Sequence, residues 1–125
     1  GVTDRVIFAG TRKDLEKIYP LMDVFIFPSL WEGLSLSLIE ALASGKCIVA
    51  GNIPSNAEVL VNDENGMLFN LHNKSELLEL IVSLFNDREK RDYLSDNAIK
   101  SSILYDEKIM TEKTEKIYLK LMDKN

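Results

Sequence analysis

Two glutamates with seven residues between them, Glu32 and Glu40, bracket a polar turn and the opening of a helical pattern. The stretch runs Phe27-Pro28-Ser29-Leu30-Trp31-Glu32-Gly33-Leu34-Ser35-Leu36-Ser37-Leu38-Ile39-Glu40-Ala41-Leu42-Ala43-Ser44-Gly45. Such a turn chemically suits a ligand that joins a polyol to a phosphate. Carboxylates accept hydrogen bonds from hydroxyls, each worth on the order of 1.5 to 3 kcal/mol net. The first N–H groups of a helix lack intrahelical acceptors and favour an anion, by about 0.3 to 1 kcal/mol and at most about 2. Both kinds of group meet between Glu32 and Glu40.

The flanking elements explain how they would meet. Arg5-Val6-Ile7-Phe8-Ala9 is apolar and rich in β-formers, which predicts a first strand closed by Gly10-Thr11. Leu15, Ile18, Tyr19 and Met22 recur at helical spacing, with Pro20 marking an irregular end or a kink. A second strand follows at Val24 to Phe27, then a helix opened by Ser35 or Ser37 whose surface is apolar except for Glu40. Gly45 suits a helix C-cap, and Cys47 to Ala50 reads as a third, buried strand. Ser55-Asn56-Ala57-Glu58 has capping-box spacing for a brief helix through Val61. After the Asn65-Gly66 turn, Met67 to Phe69 makes a fourth strand. A second capping box, Asn73 to Glu76, starts a helix ending near Asn86-Asp87, and two further helical segments complete the chain.

Strands alternating with helices predict an α/β fold with a parallel sheet and right-handed crossovers. Ligands in such sheets sit beyond the C-terminal strand ends, where Gly10, residues 28–37 and residues 51–55 would converge.

Composition narrows the function classes. At 125 residues and 46% apolar, the chain supports one core. The formal charge is -5 and no basic stripe appears, which excludes nucleic acid as the main partner. Cys47, the one cysteine, falls in an apolar run and reads as a core residue, in keeping with a reducing, cytoplasmic location. No stretch approaches the roughly 20 apolar residues that span a bilayer, and no secretory leader is visible. There is no Asp-x-Asp and no His or Cys cluster at metal spacing. The first residue is Gly1 rather than Met, and the chain reads as a piece of a longer protein.

The central stretch resembles the Glu-x7-Glu motif of the C-terminal, donor-binding domain of GT-B glycosyltransferases, specifically the retaining family 4. The order of the surrounding text carries the resemblance: Asp23 to Ser29 ahead of the motif, Glu40 to Gly45 closing it, then Ile48-Val49-Ala50, Glu58-Val59 and Glu64-Asn65-Gly66-Met67-Leu68. It covers roughly residues 3 to 100, and its form is similar to the bacterial branch that builds capsular and exopolysaccharides.

What the resemblance implies is specific. The fold would be a Rossmann-like parallel sheet with flanking helices, part of the C-terminal half of a GT-B fold, over residues 1–104, followed by an amphipathic helix over 105–125. Glu32 would contact the donor sugar near the reacting centre, and Glu40 the nucleotide ribose. Backbone amides of Gly33, Leu34 and Ser35 would meet the sugar and diphosphate, with Ser37 a hydroxyl donor, while Gly10 and Arg12 would hold the base. Many members carry Gly where this chain has Ser35, which narrows the space beside the sugar. The partners would be a nucleotide-diphosphate sugar and a glycan or lipid-linked acceptor, the latter through an N-terminal domain. Peripheral membrane association belongs to the same picture. Transfer would proceed with retention and without a metal, and the piece alone would be inactive.

Other readings stand beside these. Glu40 could instead cap the helix or pair with Arg12 or Lys46, Trp31 is expected to pack rather than to stack on a base, and His72 to be an exposed loop residue. As a whole the chain could be a non-catalytic α/β binding or oligomerisation module, dimerising through an open sheet edge.

Overall fold

The computed structural model describes residues 1–123. Three parallel strands, β1 (Val24–Phe27), β2 (Cys47–Gly51) and β3 (Met67–Phe69), form one sheet in the order β1-β2-β3. The register pairs Val24 with Cys47 and Phe27 with Ala50 on one side of β2, and Val49 with Met67 on the other. Every residue of β2 is buried, as expected of a continuous apolar run in a strand covered on both faces. Its side chains alternate between two cores. Ile48 and Ala50 join Leu38, Ala41, Leu42, Leu60 and Ala98, while Cys47 and Val49 join Phe69, Leu84 and Leu94 on the opposite face.

The predicted strand at Arg5 to Ala9 does not form. Thr3–Arg5 is a 3-10 turn, residues 6–10 have no regular structure, and Ile7 and Phe8 are 90% and 95% exposed. The physical reason is the ladder. A strand exists only beside another strand, and among the described residues β1 pairs with β2 alone. The apolar pattern encodes burial but not the neighbour that burial requires.

Helices flank the sheet. Short α1 (Leu15–Ile18) runs into a 3-10 turn at Tyr19–Leu21 that contains Pro20, the irregular end expected there. After β1 comes α2 (Leu36–Ala43), capped by Ser35, whose hydroxyl accepts from the Leu38 amide at 3.4 Å. Gly45 ends it with φ +62, its N–H donating to the Leu42 carbonyl; a Cβ there would come within 2.6 Å of Ile99. Only glycine satisfies both conditions.

The helix α3 (Pro54–Val59) starts one residue before the capping box predicted at Ser55, and Ile53 at the cap gives no side-chain hydrogen bond. Pro54 overrides the box, because its fixed φ and missing N–H suit the first helical position. Asn73 does cap α4 (Lys74–Asn86), accepting from the Glu76 amide, but Glu76 returns its carboxylate to Asn70 N–H rather than to Asn73. Asp87 caps α5 (Arg88–Ser102), and Asp106 caps α6 (Glu107–Met122). Buried Asn65 ties the loop after α3 to α5: it accepts from Val61 N–H at 2.7 Å and donates to Val59 O and Ser101 Oγ at 3.2 and 2.9 Å.

No residue of α6 is fully buried, and Ile117, Leu121 and Met122 are exposed. The last two residues of the segment predicted over 105–125 lie outside the described residues. No helix among the described residues is long and apolar enough to cross a membrane.

Candidate functional site

The loop between β1 and α2 carries Glu32, and α2 itself carries Glu40. Phe27 closes the strand, Pro28 breaks it, and the chain then turns through residues 28–35 to reach the Ser35 cap. Because Ser35 Oγ accepts the Leu38 amide and Ser35 O the Ile39 amide, those two N–H groups are satisfied within the helix. No backbone or side-chain acceptor is found among the described residues for the amides of Leu36 and Ser37. Two free donors therefore remain at the positive end of α2.

The two carboxylates open onto different clefts. Glu40 lines one of about 310 Å³ together with Arg12, Lys13, Leu15, Glu16, Tyr19, Ala43 and Ser44. Glu32 lines another of about 240 Å³ with Leu30, Trp31, Ile53, Pro54 and Ser55, at the C-terminal ends of β1 and β2. The first takes in α1 and the C-terminal half of α2, the second the turn itself and the start of α3.

Each glutamate has a hydroxyl partner. Ser29 Oγ donates to Glu32 Oε1 at 2.8 Å, and Tyr19 Oη lies 3.2 Å from Glu40 Oε2 and 3.2 Å from Ser37 O. The ion pairs considered for Glu40 are not formed. Arg12 makes a two-point bond to Asp14, at 2.9 and 2.6 Å, and Lys46 Nζ points to the carbonyls of Pro20 and Met22, each at 3.4 Å. Nor is Glu40 a cap, since it lies in the interior of α2. Burial, then the Glu40 carboxylate, raise the Tyr19 pKa above its ordinary value, so the phenol remains a donor through neutral pH.

The remaining candidates are placed less tightly. Gly33 and Leu34 are exposed, and a Cβ on Gly33 would meet nothing within 4 Å. Gly33 also lacks a positive φ, so no contact within the protein requires glycine there. Ser37 is half-buried. Gly10 turns the chain at φ +64 but lines neither cleft. Trp31, expected to pack, is 90% exposed on the rim of the Glu32 cleft. A single polar turn offers no core to receive an indole. His72 is exposed, as expected.

Sequence reasoning missed Ser29 and Tyr19. Ser29 sits three residues before Glu32, a spacing that signals a local side-chain bond. Tyr19 gave only its helical-face signal, which marked it as core, and it is indeed 3% exposed. Its hydroxyl spans 21 residues of sequence to reach Glu40, and no local pattern encodes that. Among the described residues, no three His, Cys, Asp or Glu side chains gather to hold a metal ion.

Comparison with known proteins follows the same lines. The family model described as "Glycosyl transferases group 1" matches residues 1–101. The chain is 34% identical over 119 residues to N,N'-diacetylbacillosaminyl-diphospho-undecaprenol alpha-1,3-N-acetylgalactosaminyltransferase of Campylobacter jejuni, covering 95% of this chain and 31% of that protein. Among solved structures it superposes on HepE of Anabaena in complex with UDP with a TM-score of 0.86 and 26% identity, covering 94% of this chain and 33% of that one. Sucrose-phosphate synthase of Thermosynechococcus elongatus gives a TM-score of 0.90 at 23% identity, over 99% of this chain and 32% of that one, a likeness of fold. The chain thus spans about a third of the length of the relatives it matches.

Proposed function

The chain belongs to the glycosyl transferases group 1 family, with the fold of GT-B enzymes, and on that premise we propose that it forms the donor-binding wall of a retaining sugar transferase. The full-length protein would move a hexose-type sugar from a nucleoside diphosphate to a glycan or lipid-linked acceptor. One observation supports this reading above the others: two carboxylates, one in the loop before α2 and one within it, open onto separate clefts, and the first turn of that helix holds two free amides.

A nucleotide sugar has the matching sequence of groups. The ribose would lie in the Arg12–Glu40 cleft, its hydroxyls donating to the Glu40 carboxylate. The diphosphate would meet the amides ahead of Leu38, and the sugar would lie toward Glu32. The relative solved with UDP and the relative named for a diphospho-undecaprenol acceptor support the two ends of the assignment.

Chemically, breaking the bond to the sugar places negative charge on the leaving diphosphate. Fixed amides at the start of α2 stabilise that charge without reorganising. Glu32, held by Ser29, orients the sugar and faces the positive charge that develops at the anomeric carbon. None of this chain's residues is assigned as a covalent nucleophile. The test is transfer by the full-length protein from a panel of UDP-, GDP- and ADP-sugars to a polyprenyl-diphosphate-linked sugar, with the product's anomeric configuration read by NMR. Transfer with retained configuration is expected; inversion, or no transfer from any donor, contradicts the proposal.

A further inference from the structure

The cleft around Glu40 holds a group that the donor-binding assignment does not use. Tyr19 is 3% exposed, locked in a 3-10 turn, and its ring stacks edge-on against Phe25 at 5.6 Å between centroids. Phe25 in turn stacks on Phe27 at 5.8 Å, and Phe27 is the residue from which the Glu32 loop departs. The ring is thus held from the sheet side by Phe25 and shares a core with Leu38, Ala41 and Leu42 of α2, and the hydroxyl adds the polar contact to that helix.

That hydroxyl has one proton and two acceptors at equal distance, Ser37 O and Glu40 Oε2. A carboxylate is the stronger acceptor, so the proton sits toward Glu40. Among the described residues no cation pairs with Glu40: Arg12 is bound to Asp14, Lys46 reaches two main-chain carbonyls, and Lys13, which lines the same cleft, makes no ion pair with it within 4.0 Å. Tyr19 is therefore the one described side chain that restrains the Glu40 carboxylate, and it takes a single oxygen. Oε1 is left to accept from whatever enters the cleft.

We infer that Tyr19 is the positioning residue for the nucleotide ribose: it fixes the Glu40 carboxylate so that Oε1 faces the 2′,3′-diol, and it sets how strongly the site prefers ribose over a deoxygenated sugar. This rests on the assignment of Glu40 to the ribose. Tyr19 would not touch the ligand. Its hydroxyl would act through the Glu40 rotamer, and its ring through packing, and the two contributions separate on removal of the oxygen alone.

The experiment is calorimetry on the full-length protein with UDP, GDP and ADP and their 2′,3′-dideoxy counterparts, using the nucleotide that binds most tightly. The unmodified protein should prefer the ribose form at least tenfold. Tyr19→Phe keeps the ring contacts and should lower that preference about 3- to 10-fold by weakening the ribose form, leaving the dideoxy form within about twofold. In a Glu40→Gln background the same change should do nothing further to the preference. If Tyr19→Phe weakens both forms equally, or leaves the preference intact, Tyr19 is a packing residue and the inference is wrong while the ribose assignment stands. If the unmodified protein binds none of the three, or shows no preference for ribose, the ribose assignment itself fails and the inference with it.

Discussion

Arg12 and Glu40 line the same cleft but are not paired: Arg12 is bound by Asp14, and Glu40 by Tyr19. An opposite charge within reach would have occupied part of the acceptor capacity of Glu40 and competed with ligand hydroxyls for it. Left unpaired by any cation among the described residues, the one charge on α2 remains available to hydroxyls. Glu40→Ala in the full-length protein should therefore weaken nucleoside diphosphate binding by roughly 10-fold or more, the loss of one or two charged hydrogen bonds. Titration calorimetry measures it, and unchanged affinity would remove Glu40 from the site.

Gly33 separates a turn requirement from a ligand requirement. Its φ is not positive, and a Cβ would meet no protein atom within 4 Å. Gly33→Ala should leave the melting temperature unchanged to about 1 °C, as an exposed substitution free of strain does. If the sugar or diphosphate approaches this backbone, donor binding should fall about tenfold in the same variant. Loss of stability with unchanged binding would return Gly33 to a local structural role.

Gly45 makes the opposite prediction. Its φ of +62 and the 2.6 Å approach of a Cβ to Ile99 act together. Gly45→Ala should cost about 1 to 3 kcal/mol of unfolding free energy, from left-handed backbone strain and the displaced α5 side chain. Urea denaturation checks it, and a change below about 0.5 kcal/mol would show that α5 moves aside without cost.

Cys47 gives a pH dependence. It is 1% exposed in the second core, and burial, partly offset by Arg91 and Lys90, pushes its thiol up from 9.0 to about 11. The unfolded chain then loses its thiol proton first as pH rises. The contribution to stability is whole below about pH 9 and is lost as pH climbs toward 11, by on the order of 2 to 3 kcal/mol. Cys47→Ala should be less stable at neutral pH but should lose less between pH 9 and 11 than the unmodified chain. Parallel stability curves would show that the thiol does not titrate differently on folding.

How much of this could be read in the residues depended on the range of each interaction. The strands at Val24–Phe27 and Met67–Phe69, the buried run from Cys47 and the Gly45 stop are local patterns and were legible, while the start of α2 was narrowed to Ser35 or Ser37, of which Ser35 is the cap. The strand at Arg5 to Ala9 was not, because strand formation requires a neighbour that no local pattern names. At the site, the two glutamates were visible from spacing and their flanks. Their holders were not equally so: Ser29 acts over three residues, Tyr19 over 21. Glu112 and Lys116 on α6 show the converse: they have i,i+4 spacing on an exposed face but form no ion pair within 4.0 Å.

The central claim is that Glu32 acts on the donor sugar at the reacting centre while Glu40 holds the nucleotide. The most direct measurement is the single-turnover rate of sugar transfer by full-length Glu32→Ala, taken at saturating donor alongside its affinity for the nucleoside diphosphate. The account predicts a rate lower by about 10²-fold or more, with nucleotide affinity within about threefold of the unmodified protein. Transfer at a near-unmodified rate would contradict it.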